Sequence, residues 1–357
     1  MSERAFLDTL GMWEAASGLP EQLSGALQTA GDAFGGSAVL GGGACRAVAV
    51  FGLGTGQMAA RAAAALSAPD LAVPFWRGDG SAVPAFVGTD TLVFAVSSSG
   101  ETAETLAAAA EAVERGATVV AVGGEPGGAL AGLADDAGFP WCPVHVGRAG
   151  GQSGSPERAS LGAATVPLLV ALARAGLRSD CTAEVRAASE ALARRRDVLV
   201  TPRSAPAELA RRLGRTIPLV YGSAGVAAVA AHWWKSQVNL NAKAPAFAAT
   251  LPGLTHDELA GWGQGGDVTR QTMSLVLLRH AGEGPRAGGL FAAVRAATDE
   301  VMADIFEVQG EGEDDLTRLF DLVLVGQLVS LHLAAREGVD PGPVPAVEEA
   351  QAAAASA

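Results

Sequence analysis

The sequence predicts an α/β protein built from parallel strands covered by helices on both faces. Short continuous apolar runs, Arg46–Phe51, Thr91–Val96 and Ala117–Val122, alternate with longer alanine-rich helical segments. Two of these runs end in clusters suited to tight turns, Gly52–Gly56 and Ser97–Thr102. A looser second round of the same alternation follows in the other half of the chain. Strands that alternate with helices are the signature of a parallel sheet buried on both faces.

Taken in order, residues 5–32 read as two short helices broken at Ser17-Gly18-Leu19-Pro20, followed by a glycine run at 41–43. Arg46–Phe51 is a strand, and an alanine-rich helix starts near Gln57. Leu71–Trp76 is a second strand, Thr91–Val96 a third with Thr102–Arg115 as its helix, and Ala117–Val122 a fourth. Glycines and another helix follow it. Helices over about 157–176 and 180–197 lead to a strand at Ile217–Tyr221, the turn Gly222–Gly225 and a long helix through Asn239. Met273–Arg279 and Ala303–Val308 are strands, Leu316–Gly338 is a helix, and the residues after Glu348 form an alanine-rich tail. The expected organisation is 1–178, 179–337 and a tail at 338–357, with the domain boundary near 178–204.

A chain of 357 residues, 49% hydrophobic and 18% charged, is apolar enough to build two cores. Its net charge of -13 argues against nucleic acid and anionic membrane as partners. The densest basic run, Arg194-Arg195-Arg196, reads as a solvated helix face. Residues 1–40 are too short and too acidic for an added DNA-binding module. Cys45, Cys142 and Cys181 show neither a CxxC pair nor metal-ligand spacing, so they read as core thiols of a reducing cytoplasm. No metal or cofactor is expected. Met1-Ser2-Glu3-Arg4 does not open a signal peptide. The apolar stretches Leu161–Ala175 and Ile217–Ala231 are too short and broken to span a bilayer.

Gly52-Leu53-Gly54-Thr55-Gly56-Gln57 invites a dinucleotide reading, but Gln57 replaces the third glycine and Trp76-Arg77 stand where an acid is needed. What remains is a turn that lets backbone approach a bound group beside a helix N-terminus, or a tight turn with no ligand. Ser97-Ser98-Ser99-Gly100-Glu101-Thr102 says more. A helix cap needs one hydroxyl residue, and this segment has four. Ser97, Ser99 and Thr102 can donate to a phosphate dianion, Gly100 permits the turn, and the helix start adds free amides. Glu101 fits only if its side chain points away.

The serine segment resembles the phosphosugar loop of sugar isomerase (SIS) domains. The whole chain from about Leu10 to Val347 is similar to the bifunctional phosphoglucose/phosphomannose isomerases. Pro20-Glu21-Gln22, Gly52–Gly56, Ser155-Pro156-Glu157-Arg158 with Gly162, and Lys235-Ser236-Gln237-Val238-Asn239-Leu240-Asn241-Ala242-Lys243 carry the likeness. So do Pro252-Gly253-Leu254-Thr255-His256-Asp257-Glu258, Gly261-Trp262 and Gly338-Val339-Asp340-Pro341. The resemblance implies two SIS domains, each doubly wound in a flavodoxin-like or Rossmann-like way. It also implies a homodimer and a hexose 6-phosphate ligand, glucose 6-phosphate or mannose 6-phosphate. In such an aldose-ketose isomerase a His and a Lys open the ring, a Glu moves the proton, and an Arg stabilises the enediolate. Carried over, His256 takes the His role, Arg158 the Arg role, and Gly54, Ser97, Ser99 and Thr102 the phosphate.

The family's catalytic Glu, however, falls at Leu240, and its C-terminal Lys at Gln351. The serine that often ends the first glycine turn is Gly56. Two readings therefore stand: a sugar-phosphate sensor or regulatory subunit, with an enzyme of mannose activation as its candidate partner, or an active isomerase with His256 and a rearranged base such as Glu258, Glu101 or Glu104.

Overall fold

A computed structural model describes residues 7–36, 45–144 and 157–355. The N-terminal tetrapeptide, the 41–43 glycine run and Ser155-Pro156 lie outside the described residues. Two short helices open the chain, α1 (Met12–Ser17) and α2 (Leu19–Phe34), and Pro20 occupies the first turn of α2, where its missing N–H costs nothing.

The first sheet comprises β1 (Ala47–Phe51), β2 (Phe75–Gly78), β3 (Thr91–Val96), β4 (Thr118–Val122) and β5 (Trp141–Cys142). Helices α3 (Thr55–Ser67), α4 (Ala103–Glu114) and α5 (Ala129–Ala137) connect them. Its strands are all parallel, in the order β2-β1-β3-β4-β5. Every residue of β3 is buried, as a central strand covered on both faces requires. The second strand begins later than the expected Leu71–Trp76. Pro74 has no N–H to give a ladder, and pairing starts where its carbonyl accepts from Val48 N at 2.9 Å.

Beyond the first sheet come α6 (Leu161–Arg174), α7 (Thr182–Leu199) and α8 (Ala205–Leu213). The second sheet holds β6 (Ile217–Ser223), β7 (Phe247–Leu251), β8 (Met273–His280) and β9 (Ile305–Gly310). Its connections are α9 (Val226–Asn241), α10 (Gly266–Thr272) and α11 (Ala287–Thr298). It too is all parallel, in the order β7-β6-β8-β9, the same winding of second, first, third and fourth strands. The chain ends with α12 (Asp315–Glu337) and α13 (Pro345–Ala355). The expected tail is thus helical over most of its length, as its run of alanines favours.

By length and composition α12 could cross a membrane, a stretch the sequence reading passed over. Inside the protein 83% of its apolar window is buried, which makes it a core helix.

The chain divides into two compact units. Gly18–Ala193 with Gly312–Phe320 contains the first sheet, and Met1–Ser17, Arg194–Glu311 and Asp321–Ala357 contain the second. One division between the units falls at Ala193 and Arg194. The two ends of the chain, expected in separate regions, join one unit. Asp340 accepts from both Thr9 N (3.3 Å) and Thr9 Oγ1 (2.6 Å), and Leu10 packs so closely on Gly342 that a Cβ there would lie 2.8 Å from it.

Candidate functional site

In a sheet of order 2-1-3-4-5, ligands bind outside the carboxyl ends of the strands, where the winding reverses between the first and third. Here that place is formed by the Gly52 turn after β1 and the Ser97 loop after β3. The two approach each other at contact distance. A Cβ on Gly56 would sit 2.3 Å from Val96 O, so glycine is required where the family often has serine. From the other side, Gly123 follows β4 with φ 116°, and a Cβ there would sit 1.9 Å from Ser97 O. The serine loop is therefore set between two turns that admit no side chain.

Within the loop the expected hydroxyls meet. Ser97 is 3% exposed, and its Oγ lies 2.8 Å from Thr102 Oγ1 and 3.4 Å from Ser99 Oγ. Ser97 Oγ also accepts from Gly100 N at 3.1 Å, and Ser99 Oγ accepts from Glu101 N at 3.2 Å. Hydroxyl hydrogens rotate, so such a cluster can turn them toward an anion.

Thr102 is the N-cap of α4 but makes no side-chain cap bond; its hydroxyl faces Ser97 instead. Leu106 N bonds to Thr102 O, and the earlier amides of α4 have no intrahelical carbonyl to reach. Two more helix starts converge here. Gly54, in the left-handed region at φ 53°, begins α3. Ser160 begins α6, and its Oγ lies 3.2 Å from Ser98 Oγ. The starts of α4, α3 and α6 thus all lie at or against this loop, and helix N-termini favour an anion. Glu101 does point away: its Oε1 accepts from Ala129 N at 2.9 Å, at the start of α5.

Arg158 lies in a 3-10 turn, Glu157–Ala159, two residues before Ser160 and in the same unit as the loop. His256, Leu240 and Gln351 belong to the other unit. His256 ends the 3-10 turn Gly253–His256 and is exposed. Two residues on, Glu258 accepts a hydrogen bond from Tyr221 Oη; burial first, then this carboxylate, pushes the Tyr221 phenol well above its ordinary range. Leu240 is half-buried on α9. Its neighbours hold the end of that helix: Asn239 Nδ2 donates to Ala244 O (2.8 Å), and Asn241 Nδ2 donates to Gln237 Oε1 (3.1 Å) and Ser330 Oγ (2.9 Å). Lys243 Nζ donates to Leu240 O and to Pro341 O. Gln351 is exposed on α13.

The sequence reading missed Ser160 and Gly123. Ser160 had a signal, a serine directly before the apolar run of α6. Gly123 had one in the glycines after the fourth strand. Among the described residues no group of three or more His, Cys, Asp or Glu gathers to hold a metal.

Comparison with known proteins bears on this geometry. Residues 45–137 match the SIS domain, and residues 203–353 match the bacterial phospho-glucose isomerase C-terminal SIS domain. A bifunctional phosphoglucose/phosphomannose isomerase of Aquifex aeolicus is 30% identical over 266 residues, covering 74% of this chain and 77% of the relative. The chain belongs to that family. Another bifunctional phosphoglucose/phosphomannose isomerase, from Caldicellulosiruptor bescii, is 28% identical over 270 residues, with 74% and 77% covered. Among solved structures, the C-terminal domain of glucosamine-fructose-6-phosphate aminotransferase from Francisella tularensis shares the fold. Its TM-score is 0.71 at 15% identity, with 96% of this chain and 100% of that one covered. Tagatose-6-phosphate ketose/aldose isomerase from Escherichia coli matches with a TM-score of 0.68 at 15% identity, covering 93% and 95%. The doubly wound SIS architecture expected for this isomerase family is what both sheets display.

Proposed function

We propose that this chain binds a hexose 6-phosphate at the Ser97–Thr102 loop and has lost all or most of the isomerase reaction of its family. It then serves as a sensor or regulatory subunit in sugar-phosphate metabolism, with an enzyme of mannose activation as a candidate partner. The observation that carries the reading is the hydroxyl cluster of Ser97, Ser99 and Thr102 beside the starts of three helices. Gly54, at the start of α3, belongs to the proposed phosphate site as well, and the names of the relatives supply the sugar.

The loss of turnover rests on Leu240 and Gln351, which can neither take nor give a proton at neutral pH, and on what has become of possible substitutes. Glu258 is engaged by Tyr221, and Glu101 caps α5. Of the two lysines in the chain, Lys243 is tied to backbone carbonyls and Lys235 sits within α9. Arg158 and His256 keep the residue types of the family pattern, each in its own unit, but neither is a carboxylate that could replace the missing base. A homodimer in the cytoplasm completes the proposal, in keeping with the three free thiols.

A coupled assay with glucose 6-phosphate and mannose 6-phosphate, run beside thermal unfolding, tests both halves. Turnover should be absent, while either sugar raises Tm, and Ser97→Ala/Thr102→Ala should remove that rise. Turnover on the order of 1–10³ per second, abolished by His256→Ala, establishes the active isomerase instead. No rise in Tm for the native chain with either sugar overturns the binding half.

A further inference from the structure

The unit of the first sheet contains a cleft of about 820 Å³ between α2, α6 and α7. That volume lies within the range of about 300–1,000 Å³ typical of small-molecule sites. Its apolar lining comes from Leu27 on α2 and from Val170 and Ala173 on α6. Two guanidinium groups enter it, Arg174 from the last turn of α6 and Arg186 from α7. Among the described residues neither makes an ion pair or hydrogen bond. Asp180, also in the lining, is already used: its Oδ1 accepts from Thr182 Oγ1 at 2.9 Å and Thr182 N at 3.3 Å, capping α7. Asp32 and Gln28 on α2 face the same space.

We propose that this cleft is a second ligand site, which takes a small phosphorylated metabolite rich in hydroxyl groups. Two arginine forks suit a phosphate, because each can donate two parallel bonds. Asp32 and Gln28 accept from hydroxyls, and the apolar lining covers the flat or carbon-bearing part. A nucleotide and a second sugar phosphate share this chemistry.

The cleft is not an extension of the serine loop. The first end of α6, at Ser160, touches Ser98, whereas Arg174 is fourteen residues further on. At 1.5 Å per residue that is about 21 Å, beyond the length of a hexose phosphate. A ligand in the cleft would still touch the far end of the helix whose start contacts the loop, a fitting arrangement for a sensor.

Calorimetric titration of the full chain tests the site. The Ser97→Ala/Thr102→Ala variant removes loop binding, and adenosine 5′-monophosphate, glucose 6-phosphate and inorganic phosphate are titrated into it in turn. At least one of the two organic phosphates should bind saturably at one per chain and more tightly than inorganic phosphate; which one binds separates the two sources. Adding Arg174→Ala and Arg186→Ala should weaken it at least tenfold, and so should Ala173→Trp, which fills the lining. Both arginines are exposed, so an unchanged Tm will show that the fold survives. The proposal is overturned if neither organic phosphate binds the loop-deficient variant, or if binding survives the arginine substitutions. It is equally overturned if those substitutions change only the mass seen by light scattering, since the cleft is then a contact between copies.

Discussion

The chain leaves β3 at Val96 and β8 at His280, equivalent places in two parallel sheets wound in the same order. After β3 stand hydroxyls whose partners are chiefly one another and two backbone amides. At the end of β8 itself, one residue before His280, stands Arg279, with its anion already supplied. Its Nη2 lies 2.8 Å from Glu283, its Nη1 3.6 Å from Glu307, and its guanidinium stacks on Phe291 at 4.2 Å. The hydrogen bond to Glu283 holds the Arg279 guanidinium above even its ordinary high range. Topology supplies a crevice at the carboxyl ends in both sheets. Side-chain chemistry decides whether it is open to a dianion or closed by an internal ion pair.

The largest test of that contrast is Gly123→Ala. Its positive φ and a Cβ 1.9 Å from Ser97 O combine backbone strain with overpacking, for a loss of about 3–5 kcal/mol. Denaturant unfolding should show that loss, and any folded fraction should no longer be stabilised by hexose 6-phosphate. Next comes Arg279→Ala, which leaves Glu283, only 7% exposed, without its partner; unfolding should cost about 3 kcal/mol less. The rise in Tm given by the sugar phosphate should stay as in the native chain. If it vanishes, the two turns are not chemically separate.

A smaller effect belongs to the unit of the second sheet. His332 on α12 packs edge-on against Trp13 at 5.1 Å, and burial lowers its pKa below 6.5. A group with a depressed folded pKa gives stability that is present above its unfolded value. It is lost as pH falls from about 6.5 through the lower folded value. Native stability should therefore decline in that window by no more than about 1.4 kcal/mol per pH unit from this group. His332→Gln should flatten that decline, measured by unfolding at pH 5 to 8. Glu101→Gln ought to be the mildest change. Losing a carboxylate at the start of α5 costs about 0.3–1 kcal/mol. Removing a negative charge beside the loop should tighten sugar-phosphate binding a few-fold by calorimetry.

Much of this was legible in the chain itself. Thr91–Val96 has the expected bounds because a continuous apolar run admits few other places in an α/β fold. The hydroxyl cluster showed itself because four such residues in six exceed what a cap needs. The shift of β2 was not legible, since Pro74 looks apolar in a pattern and acts only through its missing donor. Strands β5 and β7 were missed: one has two residues, and the other is an edge strand with Phe247 exposed and the next three residues half-buried. The closeness of Gly56 and Gly123 to the serine loop is a tertiary fact, set by segments distant in sequence. So is the joining of Thr9 to Asp340.

The account turns on a loop that holds phosphate without a base to work on the sugar. A crystal structure with glucose 6-phosphate tests this most directly. The account predicts phosphate oxygens within about 3 Å of Ser97 Oγ, Ser99 Oγ and Thr102 Oγ1, and no carboxylate in hydrogen-bond reach of C1 or C2. Phosphate seated at the turn after β8, or a carboxylate such as Glu258 or Glu104 within about 3.2 Å of the proton-bearing carbons, would contradict it.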